Sequence, residues 1–295
     1  MGSSTRRLAL GIAFWLCAAC ASAAPPPRSS APRSPVDPRS APAALEGRAP
    51  RDDAPAWLGI VVHQRGEVIV ADHVVRTSPA ALAGVQRGDR IVRIAGLLPR
   101  DARDVVSIVS RARVGSAMPL ELVRGERTLK LTATLTARPS GAEVLRRDFV
   151  GTTLPPFEGV TPLAGAPDSL TALAGKVVLV DFWALWCGPC RQTMPELAAL
   201  RRRHAAAGLE ILGVSSDDPL RVMPYVQSIK ADYPQWHDEE SRAQAAFGIG
   251  ALPTLFVIDR RGVVRNVRVG AQDPSEVEAE VLRLLAEPGT PSAAR

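Results

Sequence analysis

The stretch Trp186-Cys187-Gly188-Pro189-Cys190 constrains this 295-residue chain more than any other. It follows Val177–Phe182, apolar throughout except for Asp181, and precedes a helix-patterned run over Cys190–His204. A short unbroken apolar run reads as a strand buried on both faces, the kind that sits inside a parallel sheet. Gly188 permits a tight turn, and Pro189 starts a helix where no amide hydrogen is needed. Downstream the alternation continues. A strand is predicted at Ile211–Val214, with helices near Leu220–Ile229 and Ser241–Phe247. Strands Leu255–Ile258 and Val263–Val269 flank the turn Asp259-Arg260-Arg261-Gly262, and a terminal helix covers Ser275–Leu285. That order predicts a βαβ unit closed by a hairpin and a helix, an α/β fold.

The position of the cysteines gives them chemistry. Cys187 stands at a helix start, where unpaired amides and the macrodipole favour an anion, so its thiolate is stabilised. Cys190, inside the helix, is shielded and poised to attack the Cys187 sulfur. A zinc site would need four ligands, and His204 and His237 stand at no recognised spacing. A c-type haem site would need His directly after the second cysteine, where Arg191 stands. A purely structural disulfide across two residues closes too small a loop to stabilise much. The reading is a redox-active Cys187–Cys190 pair with no metal and no other cofactor. Asp181, alone in its apolar strand, is expected to have a raised pKa from desolvation and to take the proton of Cys190; a hydrogen-bonded core aspartate is the plainer alternative.

The rest of the chain divides by composition. Apolar residues make up 46% and charged residues 22%, which supports buried cores and excludes wholesale disorder. Arg6 and Arg7, the apolar Leu8–Cys20 and the small residues Ala21-Ser22-Ala23 read as an export signal over residues 1–23. Ala18-Ala19-Cys20 offers a second ending, a lipidated Cys20, although Cys17 stands where a leucine belongs. Residues 24–55 form a Pro-rich linker, with nine prolines between 25 and 55. The net charge is uneven: residues 55–138 carry 13 basic and 7 acidic groups, residues 139–295 carry 16 and 19. Because the basic residues are scattered singly without interleaved aromatics, nucleic-acid binding is excluded.

From Trp57 the pattern is one of short strands: Leu58–His63, Val68–Val74, Arg90–Ile94, Leu120–Arg124 and Leu129–Thr136. A short helix is predicted over Pro79–Ala83 and a longer one over Asp101–Ala112, where Val105, Ile108, Val109 and Ala112 recur at helical spacing. Arg138-Pro139-Ser140-Gly141 marks a flexible boundary. The boundaries are therefore 56–137 for a first domain, 138–147 for a linker, 148–287 for a second domain and 288–295 for a tail.

Two resemblances sharpen this reading. Val178-Leu179-Val180-Asp181-Phe182-Trp183-Ala184 running into Trp186-Cys187-Gly188-Pro189-Cys190 resembles the thioredoxin active-site strand and turn. Pro195 falls at that family's helix kink, Ala251-Leu252-Pro253-Thr254 is similar to its cis-proline loop, and Gly270 matches a glycine near its last strand. The lead-in Asp148–Glu158 and the long stretch from Ser215 to Gly250 resemble the exported TlpA/ResA-like branch. Some members of that branch carry Glu three residues past the second cysteine, where this chain has Thr193, so proton handling would rest on Asp181 alone. No Thr precedes a lone cysteine in the peroxiredoxin manner, which disfavours peroxidase chemistry. The resemblance implies that Cys187 attacks a client disulfide and Cys190 releases the product. It also implies that Pro253 is cis and faces the sulfurs, that the Leu252 backbone pairs with the client, and that Trp183 and Trp186 pack around the dithiol.

Trp57-Leu58-Gly59-Ile60, followed by Ser78-Pro79-Ala80-Ala81-Leu82-Ala83-Gly84-Val85-Gln86-Arg87-Gly88-Asp89-Arg90-Ile91, is similar to PDZ domains of the HtrA protease type. This implies a carboxylate nest at Leu58, Gly59 and Ile60, with a helix containing Asp104 and Ile108 as the other wall of a peptide groove. A PDZ fold used only as spacer or dimer contact remains the alternative. The expected architecture is a two-domain chain: a β-rich (α+β) PDZ domain followed by an α/β thioredoxin-like fold. The expected function is an exported, periplasmic thiol–disulfide oxidoreductase of a Gram-negative bacterium. It would act as a reductase of protein disulfide clients, recharged by a membrane or periplasmic dithiol donor, with a C-terminal peptide as PDZ ligand. A dithiol oxidase or isomerase, and a PDZ adaptor with an inert thioredoxin-like scaffold, are the rival readings.

Overall fold

The computed structural model describes residues 54–288. The export signal, Cys17 and Cys20, nearly all of the Pro-rich linker and the tail from 289 lie outside the described residues. In the N-terminal domain β1 (Ala56–Trp57), β2 (Ile60–Arg65), β3 (Val68–Val74), α1 (Pro79–Ala83), β4 (Arg90–Ile94), α2 (Ala102–Arg111), β5 (Ala117–Arg124), β6 (Arg127–Thr134) and β7 (Thr136–Ala137) follow in order. Strands β2 to β6 form one antiparallel sheet in chain order, and β1 pairs with β7. One face of this sheet joins Leu58 in a core with Ile69, Ile91, Ile94, Leu120 and Leu122, which Val105 and Val109 of α2 complete. Strand β2 starts at Ile60, two residues later than the alternation suggests. Gly59 adopts φ +82°, and the Leu58 and Gly59 carbonyls accept instead from the amides of Ala80 and Val75.

The C-terminal domain comprises α3 (Gly141–Phe149), β8 (Val160–Pro162), β9 (Val177–Phe182), α4 (Gly188–His204), β10 (Leu209–Ser215), α5 (Pro219–Ser228), β11 (Gln235–Asp238), α6 (Arg242–Ala246), β12 (Thr254–Ile258), β13 (Val264–Val269) and α7 (Pro274–Ala286). Its six-stranded sheet has the order β13-β12-β9-β10-β11-β8. Strands β9, β10 and β11 run parallel, while β12, β13 and β8 are antiparallel to their neighbours. The period of two splits β9 between two cores. Val177 and Leu179 pack with α4, α5 and α7, whereas Val178, Val180 and Phe182 join an aromatic cluster with Phe247 and Phe256. Both faces of β9 are covered, which is why its sequence is continuously apolar.

The segment read as a linker is a helix. Ser140 caps α3, its hydroxyl accepting from the Glu143 amide at 3.2 Å, so Pro139-Ser140-Gly141 starts a helix and is not the flexible boundary its composition predicts. Such a cap contributes about 1 kcal/mol. Helix α3 buries Leu145 and packs Phe149 against Phe247 and Phe256. Its other side meets the N-terminal domain. Asp148 lies 2.8 Å from His73 Nε2 and accepts from the Arg76 amide at 2.8 Å, and the Arg147 guanidinium stands 5.8 Å over the Trp57 ring.

Candidate active site

Helix α4 begins at the two cysteines. Cys187 is its N-cap, the Cys187 sulfur accepting from the Cys190 amide at 3.2 Å. The two are joined as a disulfide with Cα atoms 5.3 Å apart. Cys187 is 4% exposed and Cys190 0%, a smaller contrast than the sequence suggested, because the bonded Cys187 joins the same core as Trp183, Ala184 and Met194. Trp183 is fully buried against Tyr225 and donates from Nε1 to Gln235 Oε1 at 2.9 Å. Trp186, expected to pack around the dithiol, is 76% exposed.

Asp181 is 1% exposed, on the α4 side of β9. Burial pushes its carboxyl up to about 7, against the Tyr233 hydroxyl, which donates to Oδ2 at 3.4 Å and favours the charged form. Asp181 opens onto a cavity of about 240 Å³, shared with Thr193, Leu197 and Pro253. The Leu252–Pro253 peptide is cis, and the Pro253 carbonyl accepts from the Gly270 amide at 2.8 Å. Among the described residues neither the amide nor the carbonyl of Leu252 pairs with another backbone group.

A second recess, of about 150 Å³, lies in the N-terminal domain between Trp57-Leu58-Gly59-Ile60 and α2. Its helical wall is Val105, Val106, Val109 and Ser110. Asp104 and Ile108, named from the sequence, are elsewhere: Asp104 faces Arg100 at 2.7 Å, and Ile108 packs at the margin of the core. The helix is turned by one residue relative to the sequence expectation. Gly59 has a further reason to be glycine, because a Cβ there would lie 2.2 Å from Ser78 Cβ. A bulky residue at 59 would therefore disturb the fold and is no clean probe of the recess.

Residues 150–267 match the model of the AhpC/TSA family and residues 56–135 that of the PDZ domain. The chain is 33% identical over 130 residues to the thiol-disulfide oxidoreductase ResA of Geobacillus thermodenitrificans, covering 44% of this chain and 74% of that protein. It belongs to the family of ResA-like thiol-disulfide oxidoreductases. Other relatives include the thioredoxin-like protein YneN of Bacillus subtilis, 30% identical over 40% of this chain and 71% of that one. A solved thiol:disulfide interchange protein of Chlorobium tepidum is 31% identical, covering 47% of this chain and 99% of that one with a TM-score of 0.42.

Within this ResA-like domain the sequence reading missed several site residues. Asp217 Oδ2 accepts from the Leu185 amide at 2.6 Å and from the Ser215 hydroxyl at 3.2 Å, so the loop after β10 braces the loop that carries Trp186. Thr193, three residues past the second cysteine, donates its hydroxyl to the Cys190 carbonyl at 3.0 Å. Tyr233 reaches the site from the segment between α5 and β11, and Gln235 from the first position of β11. Only the pairing of β11 beside β10 brings them there, and no local pattern signals it. Among the described residues no group of three or more His, Cys, Asp or Glu could hold a metal ion, and no helix is long and apolar enough to cross a membrane.

Proposed function

We propose that this oxidoreductase is an exported reductase of protein disulfides whose redox group is the Cys187–Cys190 couple. The observation that carries the reading is Cys187 at the N-cap of α4, which follows the strand that buries Asp181. At the helix start the Cys187 thiolate is stabilised by unpaired amides. It attacks one sulfur of a client disulfide, and the other leaves as thiolate. Cys190 passes its proton to Asp181 and attacks the Cys187 sulfur; the Cys187–client bond breaks, the client is reduced, and the protein disulfide forms. Gly188 and Pro189 shape the turn. The unpaired Leu252 backbone is available to add the client as a strand beside Pro253, and exposed Trp186 supplies apolar contact area.

A dithiol at the membrane or in the periplasm would restore the thiols. Export rests on the charged, apolar and small-residue runs of residues 1–23, with lipidation at Cys20 as the alternative ending. Periplasmic placement in a Gram-negative cell is part of the same proposal. The PDZ domain would hold a client or partner carboxyl terminus at Leu58, Gly59 and Ile60, with Val105, Val106 and Val109 around its last side chain.

The deciding measurement is the reduction potential of the couple in the whole protein. The Gly-Pro dipeptide places the expected value near that of thioredoxin, about −270 mV, and far from that of a strong oxidant, about −120 mV. A value above roughly −160 mV would overturn the reductase direction in favour of an oxidase or isomerase. Failure of the reduced protein to cleave insulin disulfides would leave the adaptor reading.

A further inference from the structure

The strand register leaves a gap beside the buried carboxylate, and the chain fills it in a specific way. Asp181 on β9 lies opposite Gly213 on β10 and opposite Leu255 on β12. Neither offers it a polar side chain. A Cβ at Gly213 would stand 2.2 Å from the Gln235 Oε1. The missing side chain therefore lets Gln235 cross β10 and reach Trp183. Gln235 then donates from Nε2 to the Tyr233 carbonyl at 3.1 Å, and the Gly213 amide donates to the Pro234 carbonyl at 2.9 Å. The carbonyls of Tyr233 and of the next residue are thus both engaged, and the Tyr233 hydroxyl is the one side-chain donor to Asp181 among the described residues.

The other polar groups around Asp181 are committed elsewhere. On α4, Thr193 bonds to the Cys190 carbonyl and Arg203 pairs with Glu278 at 2.9 Å; Glu196 shares the cavity but is a like charge. Ahead of α7, Gln272 donates to the Gly270 carbonyl at 2.6 Å. From α5, Tyr225 faces Trp183 and receives the Arg191 guanidinium over its ring at 5.5 Å. Burial keeps the Tyr233 hydroxyl protonated, so it acts as a donor across the working range of pH.

We infer that Tyr233 is a positioning residue for the resolving step, holding the Asp181 carboxylate through its hydroxyl while the Trp183–Gln235–Gly213 arrangement fixes Tyr233 in place. The inference rests on the proposed role of Asp181 as acceptor of the Cys190 proton. In that step one proton moves from the Cys190 thiol to Asp181, the Cys190–Cys187 bond forms, and the Cys187–client bond breaks. A hydroxyl bonded to the charged carboxylate favours that charged, proton-accepting form.

The test uses the reduced full chain and a disulfide-bonded synthetic peptide, with rates followed from pH 5 to 9. The limb that disappears in Asp181→Asn reports Asp181. In Tyr233→Phe, which keeps the ring, that limb should move to higher pH, with rates at a fixed pH on the limb about three- to tenfold lower. The double variant should match Asp181→Asn alone. Introducing 3-fluorotyrosine at position 233, a stronger donor of the same shape, should move the limb to lower pH even if Tyr233→Phe folds poorly. Loss of the limb in Asp181→Asn with no movement in either Tyr233 variant overturns this inference alone. A limb that survives Asp181→Asn overturns the proton-acceptor reading and this inference together.

Discussion

His73 Nε2 and Asp148 Oδ2 lie 2.8 Å apart, so a PDZ side chain is bonded to the last turn of a helix that belongs to the ResA-like domain. The Asp148 hydrogen bond raises the His73 pKa above 6.5. A histidine raised in the folded state contributes stability that is fully present below its unfolded value and is lost as pH rises through the folded one. Calorimetry should therefore show the two domains melting together near pH 6, with the PDZ transition falling away as pH rises above the His73 value. Asp148→Ala, which also removes the acceptor of the Arg76 amide, should separate the transitions at pH 6. A single transition in that variant at every pH would remove the latch.

The buried carboxylate makes a stability prediction independent of catalysis. Asp181 is raised from 3.8 to about 7, so the folded state binds the proton more tightly than the unfolded chain. Stability therefore falls as pH rises between these values, and the full cost is present above 7. The gap corresponds to roughly 4 kcal/mol. Asp181→Asn should be more stable than the parent at pH 8 and nearly equal to it at pH 4. Equal unfolding midpoints at pH 8 in urea would show that the carboxylate is not desolvated.

The two cysteines should behave differently in trapping experiments. Cys187 caps the helix and Cys190 is wholly enclosed, so Cys190→Ser should accumulate mixed disulfides with clients and Cys187→Ser few or none. Non-reducing gels of cell extracts check this, and the reverse pattern would invert the assigned roles.

The PDZ recess can be tested at Val106, which lines it yet is 59% exposed and outside the core. A peptide disulfide ending in a free aliphatic residue should be reduced about tenfold faster, at low concentration, than its C-terminally amidated twin. Val106→Arg should bring the two rates together. A parent protein that never distinguishes the twins would leave the PDZ domain as a spacer.

How much of this was legible in the sequence follows from the reach of each interaction. The dithiol turn, β9 and α4 are contiguous, and their period and cap chemistry were readable directly. Helix α1 kept its expected limits because Pro79 and Gly84 punctuate it. Helix α3 was lost because a Pro-Ser-Gly run can break a chain or cap a helix, and only Glu143 three residues after Ser140 favours the cap. The groove wall slipped by one residue because Val105, Val106, Ile108 and Val109 are all apolar, and only packing shows which of them face the core. Tyr233 and Gln235 were invisible because their meaning depends on an absence, the side chain that Gly213 lacks, one strand away.

Helix α3 bears on what the molecule selects. A floppy tether would let a captured chain end sample many arrangements, and any cysteine within reach would serve. With Phe149 packed into the domain that carries the dithiol and Asp148 and Arg147 fastened to the domain that carries the recess, the span between anchor and reaction is set by the fold. With a carboxyl end held in the recess as proposed, substrates would be sorted by a count, the number of residues separating that end from the reducible bond, much as a ruler sorts lengths without regard to what is being measured.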